Sequence, residues 1–277
     1  MYEDVLIATD GSDLASRAAD QGISIAAHLG ARVHAVSVAD VREGSPNRDR
    51  VRDECREFVD DVETRATARD VVVDGSVRDG RPHHELLAAA EEADVDILVL
   101  GTRGRTGVRR WLLGSTAIGV IRAARRPVLS VGRLASDVPR AIERILVAAD
   151  GRPGAEPAVE HALGLAAAFD AEVHALSVVD DVHSNLAVVL EAFEERAEMT
   201  TTDVVSRAAE RDLSARRAIE RGVPHDAIVE YAGEHGIDLV VVGTESRSSV
   251  ERIAMGSVSQ RVVAASPAPV VTVRPSE

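Results

Sequence analysis

Two hydrophobic periods alternate along the chain. Val5 to Thr9 is a short apolar run, the pattern of a strand buried on both faces. A helical stretch follows from about Asp13 to Leu29, with Ser12 or Asp13 placed to cap it. Residues 33–38 read as a second strand. Val51, Cys55, Phe58 and Val62 then recur at i, i+4, i+7 and i+11, one face of a long amphipathic helix. Residues 71–77 give a third strand, Pro82 opens a helix at its first position, and residues 96–100 give a fourth strand. A Gly-rich loop, a helix from about Ser115 and a strand at 128–132 close the unit. This βαβαβαβαβ order predicts a parallel, doubly wound sheet with right-handed crossovers.

The unit then repeats. DVLIATDG (4–11) returns as RILVAADG (144–151), and VHAVSV (33–38) as VHALSV (173–178), both 140 residues on. Gly80-Arg81-Pro82-His83 returns as Gly222-Val223-Pro224-His225, DILVLGTRG (96–104) as DLVVVGTES (238–246), and PVLSV (127–131) as PVVTV (269–273), now 142 residues on. One offset with a two-residue slip along the whole length is the mark of tandem duplication. The expected domains are 1–135 and 140–277, joined through Arg133 to Ala141.

Ligands of such sheets sit beyond the carboxyl ends of the strands, where strand order reverses. Polar residues gather at two such ends, Asp10-Gly11-Ser12 after the first strand and Gly101-Thr102-Arg103-Gly104 after the fourth. With strand order 3-2-1-4-5 in each domain, both loops meet in one crevice.

Composition narrows the chemistry. At roughly 100–200 residues per domain, the 277 residues suit two domains. The chain has no lysine; all 32 basic residues are arginine. That excludes a Walker A loop and Schiff-base chemistry. Aromatic residues are 2% of the chain and the net charge is −14, which opposes a nucleic-acid partner. No apolar run approaches the ~18–20 residues of a membrane span. The acidic start Met1-Tyr2-Glu3-Asp4 does not read as a signal peptide, and Cys55, the one cysteine, suits a reducing cytoplasm. The expectation is a cytoplasmic protein with no membrane partner.

The sharpest motif is Gly101-x-x-Gly104, nine residues, then Gly114-Ser115-Thr116. Glycines let backbone amides approach an anion without a Cβ in the way. Gly114 stands at a helix start, whose unpaired N–H groups favour phosphate. The loop between carries Arg103, Arg105, Arg109 and Arg110 and no acid. These arginines are either a local anion attractor or a solvated face.

With this motif the chain resembles the universal stress protein family in its tandem two-domain form. The family's nucleotide motif is G-2x-G-9x-G-[ST], matched by residues 101–115. The resemblance also covers the first-strand Asp, the Gly-x-Pro segment and the terminal strand after Pro127, and it spans the chain twice. It implies two Rossmann-like domains of the adenine nucleotide α-hydrolase-like kind. It implies that Gly101, Gly104, Gly114 and Ser115, with Thr102, Arg103 and Thr116, hold phosphates and ribose. Asp10, with Ala8 and Thr9, would meet the nucleoside, and backbone near Val38 the adenine edge. ATP or AMP is the implied cofactor, with Mg²⁺ accompanying ATP. The family's terminal strands pair in dimers, so strands 128–132 and 270–273 are expected to pair within this chain as a pseudo-dimer, with a homodimer and a protein partner as further expectations.

The second half departs from the motif. Gly243 is kept, Ser246 replaces the second glycine, and Gly256-Ser257 is followed by Val258. The loop between holds Glu245 and Glu251 against Arg247 and Arg252. A Cβ at position 246 clashes if that residue needs positive φ. The expectation is asymmetry, with the first site binding nucleotide and the second binding weakly or not at all. Asp10 and Asp150 either contact ligand or cap the following helix.

Other candidates read as structural. His83 and His84 are adjacent on a helix and point about 100° apart, so no metal site is expected. His34 and His174 lie at matching strand positions. Cys55 sits on an apolar helix face, and Trp111-Leu112-Leu113 reads as a packing anchor. No catalytic residue is assigned. Three functions compete: a nucleotide-binding stress or regulatory module; an ATP-cleaving or adenylating enzyme; and a nucleotide-free dimerisation scaffold. The second lacks its S-G-G-x-D-S loop, since Thr9-Asp10-Gly11-Ser12 stands there. Slow ATP hydrolysis in the first stays open.

Overall fold

The computed structural model of the chain describes residues 2–41, 44–104, 113–135, 141–182, 187–244 and 256–275. They form two compact units, Met1–Arg133 and Leu134–Glu277.

The first unit runs β1 (Asp4–Ala8), α1 (Asp13–Leu29), β2 (Arg32–Ala39), α2 (Arg48–Thr67), β3 (Val73–Asp79), α3 (Pro82–Glu92), β4 (Ile97–Gly101), α4 (Ser115–Ala123) and β5 (Val128–Val131). Its strand order is β3-β2-β1-β4-β5, and every pair is parallel. The expected order is the one found. Leu6, Ile7, Ile97, Leu98 and Leu129 are fully buried between helix layers, and such a side chain contributes roughly 1.5–3 kcal/mol. α1 and α2 share one face: Gly22 packs on Ile7 and Val99, and Gly75, in register with Ala35 beside Ile7, packs on Val59 and Glu63. The opposite face carries Leu98, which lines a small hollow with Leu87 and Ala90 of α3 and Ala123 of α4.

The helix ends follow local chemistry. The Ser12 Oγ accepts a hydrogen bond from the Ala15 N–H at 3.3 Å, so Ser12 is the cap of α1. Gly30 closes α1 at φ 67°, the left-handed region open to glycine. β3 begins two residues later than the pattern suggests. Asp70 turns left-handed at φ 57° and the Val71 N–H reaches back to the Ala66 carbonyl at 3.0 Å, so the end of α2 consumes residue 71.

The second unit repeats this order: β6 (Arg144–Ala148), a 3₁₀ turn (Pro153–Ala155), α5 (Glu156–Phe169), β7 (Glu172–Val179), α6 (Ala187–Ala209), β8 (Ala215–Arg221), α7 (Pro224–Glu234), β9 (Leu239–Gly243), α8 (Ser257–Ala265) and β10 (Val270–Val273). Its strand order is β8-β7-β6-β9-β10, again all parallel. Ile145, Leu146, Leu176 and Leu239 are its fully buried counterparts.

At the amino ends of the strands both units carry one device. The Asp96 carboxylate accepts the Glu3 and Asp4 N–H groups at 2.6 and 3.0 Å. Asp238 accepts those of Glu143 and Arg144, both at 2.9 Å. Each ties the start of a first strand to the start of the fourth. Among the described residues no helix is long and apolar enough to cross a membrane.

Candidate functional site

The strand order reverses between β1 and β4, and there the two polar loops of the first unit meet. The β1 loop starts from buried Thr9, whose N–H bonds the Val36 carbonyl of β2 at 3.0 Å. Asp10 comes next and is half-buried. Its Oδ1 accepts the Ser12 N–H at 3.1 Å and the Ser12 Oγ–H at 2.6 Å. The same Ser12 hydroxyl lies 3.5 Å from the Arg103 carbonyl of the β4 loop. Ser12 therefore caps α1 and links both loops, a role that sequence reasoning missed beyond the cap.

The β4 loop is held from below. The Thr102 N–H bonds the Val131 carbonyl at 3.0 Å, and the Gly114 N–H bonds the Thr102 carbonyl at 2.8 Å. The second bond closes the ends of the loop and sets Gly114 as the cap residue of α4, with no side chain capping the helix. Exposed Ser115 and half-buried Thr116 open α4. Helix amides without a side-chain cap, next to a hydroxyl, suit an anion.

The motif glycines have different reasons. A Cβ on Gly101 would stand 2.8 Å from the Leu14 carbonyl carbon, so this glycine lets α1 pack on β4. A Cβ on Gly104 would stand 2.3 Å from the Asp10 Oδ2. Gly104 is not among the residues with positive φ. Its reason is the approach of Asp10 and not a left-handed backbone, which is the condition under which a Cβ at position 246 is expected to clash. Gly114 would meet only ordinary contacts, the nearest being the Thr102 carbonyl at 3.4 Å. Gly11, at φ 73°, lies under the ring of Phe58 from α2, which would be 2.3 Å from a Cβ. The sequence places Phe58 on an apolar helix face; its ring also walls the β1 loop. Ala8 and Val38 are half-buried near the ends of β1 and β2. Val38 lies in the body of β2 opposite Arg78 of β3.

The second unit brings together the corresponding backbone. The Thr244 N–H bonds the Val273 carbonyl at 3.0 Å, and the Gly256 N–H bonds the Thr244 carbonyl at 3.1 Å. Gly256 is the cap residue of α8, followed by exposed Ser257 and half-buried Val258. A Cβ on Gly243 would stand 2.8 Å from the Gly154 carbonyl oxygen, again a helix-packing glycine. The side chains differ. Asp150 is exposed and accepts the Arg152 N–H at 3.1 Å, and its carboxylate lies 3.4 Å from the Arg152 guanidinium. Arg152 stands where the first unit has Ser12.

Arg105, Arg109, Arg110, Trp111, Leu112, Ser246 and the charged residues at 245–252 lie outside the described residues. Of the structural candidates, His34 bonds Asp4 at 2.7 Å, His83 packs on Gly119 of α4, and Cys55 is buried. His174 is buried against the Tyr231 hydroxyl at 3.0 Å, with Tyr231 stacked on His235. Among the described residues no three His, Cys, Asp or Glu side chains gather as metal ligands.

Each unit is thus a doubly wound α/β domain with its loop crevice at the switch point of a five-stranded parallel sheet. The chain belongs to the universal stress protein family: the model of that family matches residues 1–132 and again 141–274. A universal stress protein of Methanocaldococcus jannaschii is 36% identical over 140 residues, covering 47% of this chain and 82% of its own length. One from Synechocystis is 23% identical over 300 residues, covering 98% of this chain and 100% of its own. The crystal structure of a universal stress protein from Archaeoglobus fulgidus superposes with TM-score 0.77 at 20% identity, covering 99% of this chain and 97% of that one. That likeness shows the tandem fold.

Proposed function

We propose that the first unit binds an adenine nucleotide, ATP or AMP, and that the protein is a cytoplasmic, nucleotide-responsive regulatory module with a protein partner and self-association as its outputs. The observation that carries this reading is the convergence at Asp10: its Oδ2 lies over Gly104 while its Oδ1 is held by Ser12. A carboxylate fixed in this way can accept hydrogen bonds from ribose hydroxyls or a base amine. The α4 amides behind Gly114, with Ser115 and Thr116, can hold phosphate, and in this reading Ala8, Thr9, Val38, Thr102 and Arg103 contribute to the same site. Mg²⁺ belongs to this reading as a companion of the triphosphate, because it binds chiefly through phosphate oxygens and water with one or two carboxylates. Asp10 is the carboxylate in reach of that role.

The test is the nucleotide content of the full chain. Protein purified in near-native salt, loaded with Mg-ATP and denatured should release about one adenine nucleotide per chain, and a Gly104→Ala chain far less. Two per chain would mean that the second unit is a full site as well. None after loading would remove the reading and favour a nucleotide-free scaffold.

A further inference from the structure

We infer that His174, Tyr231 and His235 form a proton-operated latch in the second unit, which holds the end of α7 against β7 while His174 is neutral and releases it when His174 takes up a proton. The cluster lies at the amino ends of the strands, away from the loops, and does not depend on the nucleotide reading.

The same histidine stands in both units among charges of opposite sign. In the first unit His34 is bonded to the Asp4 carboxylate at 2.7 Å and is in register with Asp74 of β3. Arg32 precedes it by two residues on β2. In the second unit Arg144 stands for Asp4, Glu172 for Arg32 and Arg216 for Asp74. All three positions are inverted. A proton on His34 faces a carboxylate, whereas a proton on His174 joins two arginines and one carboxylate that is already engaged.

The packing above the ring differs as well. The first unit has Ala89 and Ala93 where the second has Tyr231 and His235. The Tyr231 hydroxyl lies 3.0 Å from His174 Nδ1, and the Glu172 carboxylate lies 3.3 Å from Nε2. A neutral ring satisfies both, donating from Nε2 and accepting at Nδ1. Tyr231 is stacked on His235 at 3.9 Å, and His235 ends α7, its Nδ1 lying 3.1 Å from the Tyr231 carbonyl. The His174 side chain is 2% exposed beneath this lid, against 18% for His34.

A proton on His174 therefore makes a buried cation, which is costly unless it is paired. Glu172 of β7 is shared with Arg216 of β8 at 3.1 Å. From β6, the Arg144 guanidinium lies 3.4 Å from the Gly236 carbonyl, just past α7. On α7, a proton on His235 would add a second positive ring 6.0 Å from the first. Glu220 of β8 is the remaining charge that acts on Tyr231. Burial is the main reason that His174 resists protonation, and Arg216 and His235 add to it against the pull of Glu172. Lifting Tyr231 with the end of α7 admits water to the ring and removes that cost. A group that protonates more readily when released stabilises the closed state at high pH and loses it as pH falls.

The experiment is hydrogen–deuterium exchange of the full chain between pH 7.5 and pH 5.5, corrected for the intrinsic pH dependence of amide exchange. A released histidine with the ordinary value of about 6.5 lowers protection of residues 230–237 by up to about tenfold over this range. The matching residues 88–95 of the first unit and the centre of β6 should keep theirs. His174→Gln should abolish the loss. Arg216→Gln, at an exposed position, should move its midpoint to higher pH, and Glu172→Gln should move it to lower pH. These two keep the test open should His174→Gln not fold, and a merely structural role for His174 would not shift the midpoint in opposite directions. Protection of 230–237 that does not change with pH overturns the latch, as does a midpoint that neither charge variant moves. A loss shared equally by β6, β7, β9 and α7 overturns it too, since that is unfolding of the whole unit.

Discussion

Ser12 donates its hydroxyl hydrogen to Asp10 at 2.6 Å, and the same oxygen accepts the Ala15 N–H at 3.3 Å. One side chain thus fixes the carboxylate and starts the helix. Ser12→Ala should lower the stability of the first unit by about 1 kcal/mol through the lost cap. It should also weaken nucleotide binding, because Asp10 loses a hydrogen bond that holds its position. Urea unfolding and nucleotide titration of the same variant separate the two effects. A change in stability with unaltered affinity would limit Ser12 to the cap.

Gly104→Ala acts on the opposite side of Asp10. Its Cβ would be 2.3 Å from Oδ2, so Asp10 must move. Gly104 is exposed and lacks positive φ, so the fold should lose less than about 1 kcal/mol. Nucleotide affinity should fall at least tenfold. A variant that binds as wild type would show that Asp10 takes no part in binding.

Gly101→Ala should behave in reverse. Its Cβ meets backbone of α1 at 2.8 Å, which cannot yield without shifting the helix. Overpacking of this kind costs about 1–3 kcal/mol. The midpoint of thermal or urea unfolding should drop, with any loss of binding following from the displaced loop. Comparing it with Gly104→Ala tests whether the motif's first glycine serves the fold and its second the ligand.

Acid should weaken the second unit through two histidines. Burial pushes the His161 imidazole down from 6.5 to about 4. Burial also lowers His174, against the opposing pull of Glu172 at 3.3 Å, with Arg216 and His235 adding to the lowering. A histidine depressed in the folded state takes up more protons when unfolded. Its stabilising contribution is therefore complete above about pH 6.5 and is lost as pH falls toward the folded value. For His161 the difference is on the order of 2–4 kcal/mol. Urea midpoints at pH 7.5 and pH 5 should differ in wild type, and His161→Leu should narrow the difference. An unchanged difference would assign the acid sensitivity to other groups.

The parallel order, the duplication and the Ser12 cap are legible in the sequence because each rests on local period or on one residue type at one place. The meeting of Asp10 with Gly104 is half legible: the spacing picks out the glycine, but the reason for it is a side chain about ninety residues away in the chain. Phe58 reads correctly as one face of α2, yet its position over Gly11 depends on how that helix crosses the sheet, which periodicity does not encode. The start of β3 is misplaced because a left-handed Asp70 is hard to foresee without its hydrogen bonds. Arg152 is legible in the repeat itself, since DGR (150–152) stands where the first unit has DGS (10–12).

The paired carboxylates Asp96 and Asp238 have an evolutionary consequence. Each fastens its two central strands at the end remote from the loops, with nearly the same geometry in both copies. Between the two copies the tie at the strand starts is kept while the loop end differs, Ser12 against Arg152 and Phe58 against Thr200. A copy anchored in this way can change what it recognises without relearning how to fold. Substitutions at the loop end can thereby accumulate in one unit while its strand pairing holds.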